Sequence, residues 1–317
     1  MVALVNMSQN NYPVFGFEHK LLVGNPYYIV VLKQSFSLKD DGTVKPLIRP
    51  IDIRLSDVVK ADSRWDSVQY PSDLIPYKPQ AEIILTGTAS QPTAKQEWLC
   101  DVSLFGLRQN SWDETYHAWH KSILVTGERF WHKNGSQWQL SPVQATTQVD
   151  LEYENAYGGN FKLSPQNVSQ TGSQALPKET DQLISLDYPN NPSGTGWLPS
   201  EKDLSSLSYQ QQVYFREQIG LQDTIRAPQL LALDSQARAP MLTSPYQPIK
   251  VAGFGALTNF WQPRMQYLNE NLDWSEAATG GGYPVDFDMR HWQQAPSDQW
   301  LPHHPKGGDF NVNRFFP

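Results

Sequence analysis

The 317-residue chain has one cysteine, Cys100. A single thiol excludes an internal disulfide and a cysteine-based zinc site. It reads as a buried strand thiol. No window approaches the roughly 20 apolar residues that span a bilayer, so no membrane span is expected. Met1 to Asn11 hold no basic residue and no apolar run of signal length. A secretory leader is therefore not expected, and a cytoplasmic location is. Basic residues are scarce in the second half. Residues 146–317 carry 11 Lys and Arg against 18 Asp and Glu, whereas residues 1–145 carry 14 of each. This imbalance argues against a nucleic-acid partner, which calls for basic clusters. An acidic half suits a basic partner, or simply a solvated surface.

Catalytic signatures are also missing. There is no Gly-x-Ser-x-Gly elbow. There is no phosphate loop, and Gly280-Gly281-Gly282 lacks the flanking strand and helix of a dinucleotide fingerprint. His117 and His120 lie three apart on an expected strand, which puts them on opposite faces and unable to share a metal. His303 and His304 sit between Pro302 and Pro305 as an expected exposed turn. No metal, no cofactor and no catalytic residue is expected.

Aromatics, prolines and glycines are abundant instead: 11 Trp, 14 Tyr, 13 Phe, 24 Pro and 20 Gly. Aromatics favour strands and contact surfaces, and Pro with Gly implies many turns and few long helices. Tyr27–Leu38 reads as a strand, Asp40–Thr43 as a turn, and Val44–Ile48 as its hairpin partner. Glu82–Ala89 reads as a strand. In Glu97–Leu104 the residues Trp98, Cys100, Val102 and Leu104 alternate with Asp101 and Ser103, the pattern of a half-buried antiparallel strand. Tyr116–Thr126, Trp138–Leu140 and Val149–Tyr153 follow as further strands. The expected fold is mainly β: an antiparallel sandwich or barrel-like core with long Pro- and Gly-rich loops and one or two short helices. Residues 166–179 read as a loop or insertion. Ser200–Leu221 is the best helix candidate, and a weaker one lies at Trp261–Leu272. A single domain over 1–317 is expected, with an alternative division near 155–200.

Two acidic pairs draw attention. In Asp286-Phe287-Asp288-Met289-Arg290 an extended chain puts both carboxylates and Arg290 on one face. The pattern favours an internal Arg–carboxylate salt bridge over a pair of catalytic acids. Glu152 and Glu154 flank Tyr153 in a similar way. With so many Trp, a carbohydrate-binding or glycoside-cleaving β-sandwich remains the alternative, with Asp286, Asp288 and Glu154 as its acids.

The segment Tyr70 to Pro79 packs three prolines, an acid and a base into ten residues, so it reads as a stiff extended connector. Its Ser72, Asp73, Leu74, Pro76, Lys78 and Pro79 resemble an "SDLxPxKP" box. Gly127, Glu128 and Arg129, followed by Trp131, resemble "VxGDRxW", with Glu128 where Asp is usual. Tyr153, Glu154, Tyr157, Gly158 and Gly159 resemble "LxYExAYGG". Asn191, Pro192, Gly194 and Gly196 resemble "NPxGxGF". Ala252-Gly253-Phe254-Gly255 with Trp261, Pro263 and Arg264 resembles "AGFGP…WxPR". Asp286, Phe287, Asp288 and Arg290, then Pro296, Asp298 and Gln299, resemble "PxDFDxRF…APxDQ". Taken in order, these boxes resemble a bacterial family of unknown function, numbered two-one-six-nine.

That resemblance implies an adaptor or chaperone of the type VI secretion system. Such a protein would bind a toxin effector and help load it onto the spike, the needle trimer or its cap protein. The boxes then mark the scaffold, with Asp73, Lys78, Arg129, Glu154, Arg264, Asp288 and Arg290 as a matched set of charges that locks irregular loops. The partner surface would lie elsewhere, first in the insertion at 166–182 and the helix at 201–220.

Overall fold

The computed structural model describes residues 12–22, 25–38, 44–60, 66–107, 115–162, 185–268, 283–284 and 286–301. The expected turn at 40–43, the insertion at 166–182 and the pair His303-His304 lie outside these residues.

Strands dominate, as expected. They begin with β1 (Val14–Leu22), β2 (Asn25–Leu32), β3 (Phe36–Leu38), β4 (Val44–Pro46), β5 (Val58–Val59) and β6 (Val68–Tyr70). The middle of the chain supplies β7 (Thr88–Lys95), β8 (Glu97–Leu107), β9 (Thr115–Thr126), β10 (Phe130–Asn134), β11 (Gln137–Leu140) and β12 (Thr146–Asp150). Short strands complete the set: β13 (Tyr157–Gly158), β14 (Asn160–Lys162), β15 (Ser185–Asp187), β16 (Thr195–Gly196), β17 (Thr224–Arg226) and β18 (Leu230–Ala232). Among the described residues they pair in eight small sheets of two or three strands. Among the described residues, strand pairing is antiparallel except between β13 and β16, and Ala156 adds a parallel bridge to Leu230.

The centre is the sheet β18–β9–β8. On β9 the period-2 pleat turns Trp119, Lys121, Ile123 and Val125 to one face. Ile123 and Val125 are almost wholly buried, and burying an aliphatic side chain of this size stabilises by roughly 1.5–3 kcal/mol. On β8 the expected alternation holds: Trp98 is buried while Leu99 is exposed. Cys100 is half-buried, and burial, with the Asp101 charge, pushes its thiol pKa up. Tyr153, Phe254, Trp261 and Leu301 close the same core from irregular segments.

Several expected elements differ. Tyr27–Leu38 is not one strand: β2 ends at Leu32 on β1, and β3 pairs with β4. The strand expected over Val149–Tyr153 ends at Asp150, and Tyr153 opens a 3-10 turn. Glu82–Gly87 is not a continuous strand; the strand starts at Thr88. Its backbone is shared between partners that do not form one ladder. Ile83 N donates to Gln299 O at 3.0 Å, Leu85 N to Phe254 O at 3.0 Å, and Leu301 N to Ala81 O at 2.8 Å. The helix expected over Ser200–Leu221 is two helices, Glu201–Leu204 and Tyr209–Gly220. Each has its own capping box, Ser200 with Asp203 and Ser208 with Gln211. The second box starts a new helix where the first would have continued. The weaker candidate is realised as the short helix Gln262–Met265.

The hairpin β1–β2 stands apart as a two-stranded sheet. Its register pairs Val14 with Leu32, Gly16 with Val30 and Glu18 with Tyr28, so these residues share one face. On that face Tyr28 is 40%, Val30 54% and Leu32 56% exposed. The Tyr28 ring lies over Gly16, where a Cβ would come within 2.5 Å of its hydroxyl. The opposite face carries His19, which stacks on Tyr283 at 5.3 Å between ring centroids.

Candidate functional site

The sequence boxes are knitted into internal contacts. Asn191, fully buried, donates through Nδ2 to the carbonyls of Tyr153 (2.8 Å) and Tyr157 (3.1 Å). Gly158 sits at φ +152°, and a Cβ there would lie 2.1 Å from Asn191 O. A Cβ on Gly194 would lie 2.5 Å from Asn191 Nδ2. So two boxes meet around one asparagine, and the glycines are needed for close approach. Gly159 N donates to Asn191 O, and Pro192 O accepts from Asn160 Nδ2. Gly196 has φ +90° and packs on Pro228. Gly127 lies against the Gln144 carbonyl, 1.7 Å from where a Cβ would stand.

The expected set of matched charges is only partly a set. Asp288 and Arg290 do pair, through Oδ2–Nη2 at 2.5 Å and Oδ1–Nε at 3.0 Å. Asp73, Lys78, Glu154 and Arg264 find partners outside the boxes. Asp73 accepts from Lys33 Nζ at 2.5 Å and Arg54 N at 2.7 Å. Lys78 pairs with Glu82 and donates to Gln294 Oε1 at 2.8 Å. Glu154 accepts from Ser67 Oγ at 2.6 Å. Glu128 faces Arg226 Nε at 3.2 Å. Arg264 is buried and donates to the carbonyls of His291 (3.0 Å) and Leu257 (3.2 Å). Burial depresses its pKa, as it does that of Arg129, whose buried Nε lacks a hydrogen-bond partner.

Glu82 was not singled out by the sequence reading. Its nearly buried carboxylate takes Gln294 N and Ala295 N at 2.9 Å each, Gln293 Nε2 at 3.2 Å, and Lys78. It thereby pins the proline-rich connector to the segment before Pro296. Ser72 helps: its Oγ accepts from Leu74 N at 3.1 Å, and its carbonyl from Gln294 Nε2 at 3.1 Å. Pro76 is buried, while Leu74 and Pro79 are partly covered.

Three boxes converge on one cleft of about 270 Å³. Tyr153, Gly253, Pro263 and Asp298 come from the boxes; Lys121, Lys250 and Tyr267 do not. Tyr153 packs edge-on against Trp261 at 5.3 Å, and its hydroxyl donates to Gly255 O at 3.2 Å. Burial raises its pKa far above the usual phenol value. Tyr267 is backed by the Arg290 guanidinium at 4.7 Å and by Trp300 at 6.0 Å. Lys121 Nζ donates to Asp298 Oδ1 at 2.8 Å and Gln299 Oε1 at 2.7 Å, and faces the Phe254 ring at 5.4 Å. Lys250 Nζ reaches Asp298 Oδ2 at 3.2 Å. Burial lowers the Lys121 pKa and outweighs the attraction of Asp298. Burial alone would raise the Asp298 pKa, but Lys121 and Lys250 hold it below the usual carboxylate value. The period-2 pattern of β9 could have flagged Lys121, because it stands between inward Trp119 and Ile123.

Of the acids weighed for sugar chemistry, Glu154 accepts from Ser67 Oγ and Asp288 pairs with Arg290. Arg290 holds the Asp288 pKa down, the opposite of what a general acid needs. Asp286 is exposed, and Phe287 is buried in a stack with Tyr283 at 4.3 Å. One serine, histidine and aspartate do meet on the surface: Ser122, His120 and Asp101. His120 Nε2 faces both Ser122 Oγ (3.0 Å) and Asp101 Oδ1 (3.5 Å). A relay needs the two ring nitrogens to face different partners, so this is not a triad. Among the described residues no three His, Cys, Asp or Glu side chains gather as a metal site. Among them, too, no helix is long and apolar enough to cross a membrane.

A family model described as "Uncharacterized protein conserved in bacteria (DUF2169)" matches residues 23–312. Neither a curated protein nor a solved structure matches the chain.

Proposed function

This chain belongs to that bacterial family, and we propose that it is an effector adaptor of the type VI secretion system. In this reading it binds a toxin effector in the cytoplasm and aids its loading on the spike, the needle trimer or its cap protein. No chemistry is required of it. The observation that carries the reading is the outward face of β1–β2, where Tyr28, Val30 and Leu32 follow one another at 40–56% exposure. Exposed apolar side chains in a row support a contact site on this face. A second, smaller apolar pair, Tyr209 and Val213, lies one turn apart on the helix Tyr209–Gly220. Many residues of the sequence boxes are engaged in internal hydrogen bonds.

The test is co-expression with the neighbouring toxin and spike genes, affinity purification of this chain, and mass spectrometry. A stoichiometric toxin complex that is lost when this chain is omitted supports the reading. Stable, soluble toxin that never co-purifies overturns it.

A further inference from the structure

The first stretch of the chain stands outside the core. Among the described residues from 12 to 60 none is buried, and the first buried ones in chain order are Ser67 and Val68. The core clusters, with the residues packed on them, run from Ala81 to Leu301. The stretch is not short of apolar side chains: Leu32 is 56% and Leu55 61% exposed, and Ile48 is fully exposed. Among the described residues its hairpins, β1–β2 and β3–β4, are two-stranded sheets. A lone two-stranded hairpin is marginal in water. Apolar burial is the dominant favourable term in folding, and this stretch gains little of it.

Polar contacts hold it to the body. Asp73 Oδ2 accepts from Lys33 Nζ and, at 2.7 Å, from Arg54 N. Asp73 N donates to Arg54 O at 2.9 Å, and Ser72 N to Asp57 Oδ1 at 2.7 Å. The Asp73 side chain is 26% exposed, so water competes for this latch. His19 adds its ring contact with Tyr283. Just beyond Asp57 the chain is anchored. There β5 pairs with β6, where Val68 is buried and bridges to Ala256.

We propose that residues 12–57 open from the body as one unit, swinging about β5 and held shut by Asp73, while the sheet β18–β9–β8 stays folded. Among the described residues, no buried side chain has to be withdrawn when the unit opens. Local opening draws on segments of this kind, poor in buried apolar contacts. The unit carries the face of Tyr28, Val30 and Leu32. That its opening governs toxin binding rests on the adaptor reading; the opening itself does not.

The experiment is hydrogen exchange of the full chain, read by mass spectrometry in a urea series below the unfolding transition. Corrected for intrinsic rates, peptides from β1 to β4 should exchange at least about a hundredfold faster than those from β8 and β9, with one shared and smaller urea dependence. Asp73→Ala should speed β1 to β4 about tenfold more, as for lost hydrogen bonds to a charged group, and leave β8 and β9 at the parent rate. Lys33→Met spares the Arg54 contact and should speed the same peptides about threefold, the scale of a part-exposed ion pair. Exchange of β1 to β4 together with β8 and β9, under one urea dependence, overturns the proposal. So do variants that speed both groups alike or change neither. Should Asp73→Ala fail to fold, Lys33→Met decides alone. If β1 to β4 open as expected and the toxin never co-purifies, the opening stands and the adaptor reading falls.

Discussion

Lys121 donates to Asp298 across 2.8 Å although 177 residues separate them in the chain. The contact ties the inward face of β9 to the short helical turn Ser297–Gln299. Trp119 Nε1, two residues earlier, donates to the Asp298 carbonyl at 2.8 Å. The strand thus grips the turn through side chain and backbone together.

The two halves of this pair are not equivalent. Asp298→Ala would leave the Lys121 ammonium buried with only Gln299 to accept from it. Lys121→Met removes that charge, and Asp298 keeps Lys250. We expect Asp298→Ala to cost about 2–3 kcal/mol and Lys121→Met distinctly less. Urea denaturation of both variants checks the order, and equal losses would contradict it.

Acid should act through the same carboxylate. The folded-state pKa of Asp298 is depressed by Lys121 and Lys250. Its contribution is therefore present above the unfolded carboxylate value of about 4 and is lost as pH falls through the lower folded value. Melting temperature should drop below about pH 4. In Asp298→Asn that part of the drop should shrink, because the group no longer titrates.

Glu82 is the hub of the proline-rich connector. In Glu82→Leu the amides of Gln294 and Ala295 lose their acceptor, and Lys78 keeps only Gln294 Oε1. A loss of about 3 kcal/mol is expected from unsatisfied buried donors. Hydrogen exchange should speed up at those two amides first. Unchanged exchange there would refute the hub role.

Two glycines should respond oppositely. At Gly127 an added methyl meets the Gln144 carbonyl, which is backbone and cannot step aside. Gly127→Ala should destabilise by about 3 kcal/mol or prevent soluble expression. At Gly87 nothing lies within 4 Å. Gly87→Ala should be neutral or stabilise by up to about 1 kcal/mol. Thermal melts of the two decide it.

The hairpin face should matter for binding and not for folding. Val30 and Leu32 are more than half exposed, and surface substitutions usually stay within about 0.5 kcal/mol. Val30→Lys with Leu32→Lys should leave the melt in place and abolish toxin co-purification. Retained co-purification would move the interface elsewhere.

Local pattern by itself determined the strand content. The alternation in Glu97–Leu104 sets which side of β8 is buried, because a pleat allows no other choice. Helix over Ser200–Leu221 was legible as a single run, but its break into two helices, the second capped by Ser208 and Gln211, was not. The ordered boxes carry the family. Tertiary structure alone decided the rest. Asp73 pairs with Lys33, Lys78 with Glu82 and Lys121 with Asp298, and nothing local distinguishes these from other opposite charges. Glu82–Gly87 looks like a strand and is not a continuous one, because its backbone donors and acceptors find Phe254, Gln299 and Leu301 from distant segments. Charge selects a partner only by distance, and distance across 177 residues exists only once the chain has folded.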